Sequence, residues 1–231
     1  MSNAAPSSRK SSVPNTPQKE RAEFIDRLKV SHETLRKLDR YAKLLAEWNA
    51  KFNLIGEATL QYIWTRHFLD SAQLMRFIPE GAKTLADMGS GAGFPGLVLS
   101  IMGFPETHLI ESIGKKASFL RTVVGELELN VTVHQARIES LPKLKVDILT
   151  ARALKPLPEL LKLSNYLIKK DSLCLFLKGQ SIDTELTESA RSWTFKSEKH
   201  SSLSNPSGCV LIIKDLKPKH DAARKNHPRK R

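Results

Sequence analysis

Cysteine is scarce in this sequence, with only Cys174 and Cys209 among 231 residues. Both lie in apolar runs, so we expect them to be buried, small hydrophobic side chains in a reducing compartment, without a disulfide or a metal site. The N-terminal segment lacks an apolar stretch of the signal type, and no run is long enough to cross a membrane. These absences exclude the disulfide-stabilised and membrane-spanning classes and predict a cytoplasmic protein.

Acidic residues are too few to balance the basic ones. The chain has 37 Lys and Arg against 24 Asp and Glu, and its formal net charge is +13. Such an excess in a chain of 25.9 kDa indicates a polyanionic partner, and nucleic acid is the leading candidate. Part of the charge lies in the basic tail predicted at residues 217–231, which is either a solvated appendage or an electrostatic arm for phosphates.

The first third of the chain divides into a tail and a helical region. Residues 1–19 are rich in Ser and Pro and have no hydrophobic period, so we expect a disordered tail. Over residues 20–80, apolar side chains recur at helical spacing, and we expect Ser31 and Thr59 to cap two amphipathic helices.

Residues 81–216 alternate short apolar runs with helical periods. This pattern predicts an α/β domain with a doubly wound, mostly parallel sheet. The last two predicted strands, near residues 194–200 and 209–214, are joined by a short loop, which predicts an antiparallel hairpin at one edge of the sheet.

A glycine-rich turn follows the first predicted strand and leads into a helix. Glycine permits positive φ and lets a ligand approach the backbone, and the start of the helix favours an anionic group. We therefore expect a nucleotide-like ligand at the carboxyl ends of the strands, in preference to a flexible loop without a ligand. The four glycines are Gly89, Gly91, Gly93 and Gly96.

The identity of that ligand depends on two acidic residues. Gly91, Gly93 and Gly96 also match the G-x-G-x-x-G pattern, so an NAD-dependent oxidoreductase is an alternative. Asp87 argues against NAD because its carboxylate would lie near the diphosphate, whereas the sulfonium and ammonium groups of S-adenosylmethionine are cationic. Glu111, at the end of the second predicted strand, can accept hydrogen bonds from the ribose of either cofactor. We therefore favour S-adenosylmethionine.

Further motifs extend from residue 41 to residue 179. They include Arg66-His67-Phe68-Leu69-Asp70-Ser71, Phe94-Pro95-Gly96, Glu111-Ser112, Lys115-Lys116, Arg137-Ile138-Glu139, Arg152-Ala153 and Lys178-Gly179. On these residues the chain resembles the bacterial 16S ribosomal RNA guanine-N7 methyltransferases, the glucose-inhibited division protein B family. Glu111 departs from the Asp expected at its position and Lys116 from a common Arg, but both keep the charge.

The resemblance implies a class I, Rossmann-like methyltransferase with an N-terminal helical extension and S-adenosylmethionine as cofactor. It also implies methyl transfer to N7 of a guanine in the 530 loop of 16S ribosomal RNA, with that RNA or the small ribosomal subunit as partner; we expect a monomer. The cofactor contacts that it implies are Gly89, Phe94, Ile138, Glu139 and Arg152. The chemistry of the turn adds Asp87, Gly91, Gly93 and Glu111.

An RNA-binding surface is expected beside the cofactor. Arg66 and Asp70 are four residues apart on one predicted helix, a spacing that supports an ion pair. Taken alone, these residues favour a solvated salt bridge beside an incidental His67, but the resemblance favours an RNA-binding face that includes Arg66 and His67. Lys115 and Lys116 could form only the polar side of a helix, or they could bind phosphate near the cofactor.

The sequence offers no obvious general base. The segment after the fourth predicted strand lacks the polar-Pro-Pro-aromatic motif of exocyclic-amine methylation, and buried cysteines argue against methylation of a pyrimidine carbon. Guanine N7 already carries a free lone pair, so its methylation needs positioning more than a base. Arg152 and Lys178 are the candidates for holding the cofactor or the guanine edge. An oxidoreductase and a non-catalytic RNA-binding protein remain as alternatives.

Overall fold

The computed structural model describes residues 17–141 and 144–219. Most of the predicted N-terminal tail and most of the predicted basic tail lie outside these residues. Within them, no helix combines the length and the apolar character that a membrane span requires.

A seven-stranded sheet forms the centre of the molecule, in the order β3-β2-β1-β4-β5-β7-β6. The strands are β1 (Thr84–Met88), β2 (Glu106–Ile110), β3 (Val131–His134), β4 (Val146–Arg152), β5 (Ile168–Lys178), β6 (Trp193–Ser201) and β7 (Cys209–Pro218). The first five strands are parallel, whereas β7 runs antiparallel to both β5 and β6. The predicted α/β fold and its antiparallel edge hairpin are therefore confirmed.

Strand register brings the ends of distant segments to one edge of the sheet. Met88 lies beside Ile110 and Ala151, so the carboxyl ends of β1, β2 and β4 coincide. Lys178, the last residue of β5, pairs with Cys209, the first residue of β7. The hairpin loop, which joins β6 to β7, therefore lies at this same edge.

In the described part of the chain, four α-helices connect the strands and cover the sheet: α5 (Gly96–Ile101), α6 (Gly114–Glu126), α7 (Leu157–Ser164) and α8 (Ile182–Ser189). Apolar periodicity in the sequence predicts a helix over residues 156–169, but α7 ends at Ser164 and β5 begins at Ile168. Val146 pairs with Ile168 there, so sheet pairing overrides the local pattern.

The N-terminal helical region runs from Pro17 to Phe77 and is less regular than expected. It comprises α1 (Pro17–Leu28), α2 (His32–Phe52), α3 (Glu57–Leu60), a π-helical turn (Trp64–Leu69), α4 (Asp70–Ala72) and a 3₁₀ turn (Gln73–Phe77). Ser31 caps α2 as predicted, because its hydroxyl accepts a hydrogen bond from the N–H of Thr34 at 3.1 Å. The predicted cap at Thr59 is wrong, since Gly56 precedes α3 and Thr59 lies within it.

Two boundaries of the predicted tails are also wrong. Residues 17–19 belong to α1, which is stabilised by tertiary packing: Phe24 is buried and meets Trp64 edge-on at 5.3 Å. At the other end, β7 continues to Pro218, with Lys217 paired to Thr194. The strand therefore includes the first two residues of the predicted basic tail.

The N-terminal helices share one core with the sheet. Tyr41 of α2 is fully buried and packs against Phe68, Phe94 and Phe119 at ring separations of 5.5 to 6.3 Å. Burial raises the pKa of its hydroxyl well above the usual value, so the group stays protonated and donates to the carbonyl of Ala92. This hydrogen bond ties α2 directly to the glycine-rich turn.

Candidate functional site

The glycine-rich turn leaves β1 with three alternating glycines at positive φ: Gly89 at 64°, Gly91 at 59° and Gly93 at 102°. A Cβ on Gly91 would meet no protein atom closer than 3.9 Å, whereas one on Gly93 would come within 2.3 Å of the Leu97 side chain. Gly91 therefore borders open space, and Gly93 is required by internal packing.

One cleft opens beside this turn; we call it the glycine cleft. It has a volume of about 390 Å³ and lies at the carboxyl ends of β1, β2 and β4. Six of the nine predicted cofactor residues line it: Gly89, Gly91, Glu111, Ile138, Glu139 and Arg152. Ile113, an exposed apolar residue that sequence reasoning missed, also lines the cleft.

Glu111 organises the floor of the glycine cleft. One carboxylate oxygen accepts from the N–H of Gly91 at 2.9 Å, and the other accepts from the N–H of Ile113 at 2.8 Å. A carboxylate oxygen has more than one acceptor position. Glu111 can therefore hold the turn and still accept hydrogen bonds from ligand hydroxyls.

Asp87 occupies a different place from the one expected. It is fully buried beneath the turn, where it accepts from the Thr150 hydroxyl at 2.8 Å and from the N–H of Gly96 at 3.2 Å. Burial raises the pKa of its carboxyl to about 6, although these hydrogen bonds act in the opposite direction. Asp87 supports the turn from below, so its charge no longer discriminates between NAD and S-adenosylmethionine.

A second, larger cleft of about 850 Å³ lies on the other side of Arg152. We call it the loop cleft, because the loop between β6 and β7 forms one of its walls through Ser202, Ser204, Asn205 and Gly208. Arg66, His67 and Lys178 also line it. Sequence reasoning missed the loop, although the predicted edge hairpin would have placed it at this edge.

Arg152 separates the two clefts. Its guanidinium donates to Nδ1 of His67 at 2.9 Å and to the carbonyl of Arg66 at 3.1 Å, and it lies 4.8 Å from the ring centre of Phe94. It also pairs with the Asp70 carboxylate at 3.4 Å. Asp70 thus has Arg152 as its ion-pair partner in the described part of the chain, and the predicted pair with Arg66 is wrong.

His67 is held as a neutral ring. Burial and the neighbouring Arg152 lower its pKa to about 3. Because Nδ1 accepts from Arg152, the proton belongs on Nε2, which faces the Thr59 hydroxyl at 3.1 Å. The ring stacks on Phe94 at 4.7 Å. Phe94, a predicted cofactor contact, therefore lies beneath Arg152 and His67, outside the lining of the glycine cleft.

Lys178 is engaged by protein groups. Its ammonium pairs with Glu185 at 2.6 Å and donates to the carbonyl of Lys155 at 3.2 Å. It thereby holds the segment after Ala153, a residue with φ of 50°. Strained backbone of this kind is concentrated at functional sites. Ala153 and Arg152 are the two described residues that line both clefts.

The remaining predicted site residues do not lie together. Lys116 lines the glycine cleft, while Lys115 is exposed and lines neither of the two clefts as described. Both cysteines are buried, as expected. Cys209 borders the loop cleft, but burial raises the pKa of its thiol. A protonated thiol is a poor nucleophile, in keeping with the argument against methylation of a pyrimidine carbon.

Comparison with known proteins gives a consistent result. The family model described as rRNA small subunit methyltransferase G (GidB) matches residues 34–211. Ribosomal RNA small subunit methyltransferase G of Paramagnetospirillum magneticum is 46% identical over 194 residues, covering 84% of this chain and 95% of that protein. The protein of the same name from Rhodospirillum centenum is 46% identical, with coverage of 82% and 88%.

Solved structures resemble the chain in fold. TYW2 of M. jannaschii in complex with AdoMet superposes with a TM-score of 0.52 at 16% identity, over 68% of this chain and 78% of that one. A point mutant of MtNAS in complex with S-adenosylmethionine gives a TM-score of 0.52 at 17% identity, with coverage of 86% and 77%. At such low identity the likeness supports the architecture alone.

Proposed function

Because the chain belongs to the rRNA small subunit methyltransferase G family, we propose that it transfers a methyl group from S-adenosylmethionine to N7 of a guanine in the 530 loop of 16S ribosomal RNA. The substrate is 16S ribosomal RNA or the small ribosomal subunit. A cytoplasmic location and a monomeric state remain predictions.

The glycine cleft fits the proposed cofactor. Gly91 borders open space that a side chain would fill, and Glu111 offers acceptor positions suited to two ribose hydroxyls. Ile113 and Ile138 supply apolar surface for a base. S-adenosylmethionine, when bound, supplies an electrophilic methyl group.

We choose guanine N7 as the methylated atom because the described residues of the site include no available general base. In the described residues around Arg152, the nearest imidazole is that of His67, whose Nδ1 is occupied and whose pKa is lowered to about 3. The Asp70 carboxylate is likewise engaged by Arg152 and by Ser204. The lone pair of guanine N7 needs no deprotonation, so its methylation requires no general base. The rate then depends on how the site orients the reacting groups.

The test is methylation of small-subunit RNA and of intact small subunits with labelled S-adenosylmethionine, followed by mass mapping of the nucleosides. We expect one 7-methylguanosine per 16S molecule, in the 530 loop. RNA in which that guanine is replaced by adenine is the matched control and should stay unmodified. Another methylated nucleoside would refute the N7 assignment, and calorimetric binding of NAD but not S-adenosylmethionine would refute the cofactor.

The same reaction can be followed against pH. Single-turnover rates at saturating RNA and cofactor should change less than about twofold between about pH 6.5 and 8.5, because neither N7 nor a bound sulfonium titrates there. The pKa of His67, about 3, and that of Asp87, about 6, lie below this window. A steep rise with one ionisation would reveal a general base.

A further inference from the structure

The loop between β6 and β7, residues 202–208, is fixed to the N-terminal helices by hydrogen bonds. The Ser204 hydroxyl donates to Asp70 at 2.5 Å, and the N–H of Leu203 donates to the side chain of Gln73 at 2.8 Å. The amide group of Gln73 in turn donates to Asp70 at 3.1 Å and to the Ser202 hydroxyl at 3.1 Å. The loop therefore has a defined position across the loop cleft.

Asp70 connects this loop to the boundary between the clefts. One carboxylate oxygen accepts from Ser204 and the other pairs with Arg152 at 3.4 Å. The side chains of Asp70 and Arg152 are only 16% and 19% exposed, so the pair is better protected from solvent screening than a surface pair. A displacement of the loop would thus be transmitted to Arg152.

The loop presents the chemistry of a base-binding surface. Ser202, Ser204 and Asn205 line the loop cleft with neutral hydroxyl and amide groups, and such groups can hydrogen-bond to base edges as well as to phosphates. The Asn205 side-chain oxygen already accepts from the N–H of Ser207 at 3.0 Å, so its NH₂ is the group left to offer. An amide NH₂ suits guanine O6, which adjoins N7 and leaves N7 free for attack.

We propose that loop 202–208 is the wall that holds the target nucleotide in the loop cleft, and that Asp70 is the positioning residue that sets this wall against Arg152. The proposal rests on the proposed function and deepens it. Methyl transfer requires the reacting atoms to lie about 3 to 3.5 Å apart and in line, so a small shift of the wall lowers the rate steeply.

A double-mutant cycle on Asp70 and Ser204 tests the link. Ser204→Ala removes the loop hydroxyl that donates to Asp70. Asp70→Asn keeps an acceptor oxygen for Ser204 but removes the charge that pairs with Arg152. We expect each change to lower kcat on small-subunit RNA about tenfold, and the double variant also about tenfold, because both break one chain of contacts. Affinity for S-adenosylmethionine without RNA should change less than about threefold.

Three further variants separate positioning from folding. Ser204→Thr keeps the hydroxyl and should restore most of kcat. Asn205→Ala should lower kcat/KM for RNA about tenfold with an unchanged Tm. Asp183→Asn, which removes an exposed pair with Lys199 elsewhere on the hairpin side, is the control and should behave as the wild type.

Wild-type rates in Ser204→Ala and Asn205→Ala would overturn the proposal, as would a multiplicative, roughly hundredfold loss in the double variant. Equal losses of activity and of S-adenosylmethionine binding would overturn it too, because the loop would then act through the fold. Failure of the proposed function is distinct: the wild-type reaction would leave the RNA unmodified or modify another nucleoside.

Discussion

The glycine cleft and the loop cleft lie at the same edge of one sheet and differ in how they are built. The glycine cleft is lined largely by residues that follow β1, β2, β3 and β4. The loop cleft is assembled by side chains from segments far apart in the chain, such as Asp70 and Ser204. The first can be recognised from a local motif, whereas the second exists only once the chain has folded.

The sharpest test of this contrast replaces two glycines of the same turn. Gly91→Val should weaken S-adenosylmethionine binding more than about 100-fold, because the side chain enters the glycine cleft and adds strain at positive φ. Gly93→Val should act on folding, since its Cβ collides with Leu97 and the Tyr41 hydroxyl. Calorimetry and denaturant unfolding measure the two effects. Equal losses of binding and stability in both variants would contradict the division.

A substitution of Asp87 tests whether the residues beneath the glycine cleft affect stability without affecting cofactor binding. A folded pKa of about 6 exceeds the ordinary 3.8, so the contribution of this carboxyl to stability is full below about pH 4 and is lost as pH rises through about 6. Asp87→Asn imitates the protonated form and does not titrate.

The free energy of unfolding of Asp87→Asn, relative to the wild type, should therefore rise by about 3 kcal/mol between about pH 4 and pH 7. Urea titrations at several pH values check this. S-adenosylmethionine binding at neutral pH should change less than about threefold. If the unfolding free energies of the variant and the wild type change in parallel with pH, or if the variant loses S-adenosylmethionine binding, Asp87 does not act as a buried support of the turn.

A substitution of Glu111 tests whether the lining of the glycine cleft binds the cofactor. Glu111→Ala should weaken S-adenosylmethionine binding by about 1.5 to 3 kcal/mol, the range for hydrogen bonds to a charged group. Glu126→Ala is a matched control, because Glu126 forms an exposed pair with Arg40 away from both clefts. Titration calorimetry distinguishes them. An unchanged affinity in Glu111→Ala would remove this carboxylate from the cofactor site.

The smallest effect is expected from the basic tail, which should act on RNA alone. The deletion should cover residues 220–231 and leave Lys217 and Pro218 in place, because these two residues pair with β6. The loss of five Lys and Arg and one Asp should flatten the salt dependence of RNA binding by up to about 3 in log–log slope. The rate at saturating RNA should stay within about twofold. An unchanged slope would make the tail a solvated appendage.

The sequence predicts the architecture well because its signals are local. Apolar runs mark the buried strands, Ser31 marks the start of α2, and the turn after β1 marks the glycine cleft. Local patterns fail where tertiary contacts decide. The position of Asp87 just before the glycines predicts a cofactor contact, but its side chain points beneath the turn to Thr150.

The partner of Asp70 shows the same limit. Spacing along a helix favours Arg66, yet the π-helical turn and the end of β4 bring Arg152 to the carboxylate. The loop wall of the second cleft carries no motif, because serines and an asparagine are ordinary in any turn. The pairing of β7 with β5, together with the hydrogen bonds to Asp70 and Gln73, gives these residues their place.

Arg152 and Ala153 have a consequence for how such an enzyme can change over time. They are the two described residues that both clefts share. Under the proposed assignment, a substitution in the loop cleft that leaves the Asp70–Arg152 pair intact would alter which nucleotide is accepted while the cofactor side keeps its shape. On that proposal the edge hairpin would be a site where specificity diversifies, and Arg152 and Ala153 would be the residues at which the two surfaces evolve together.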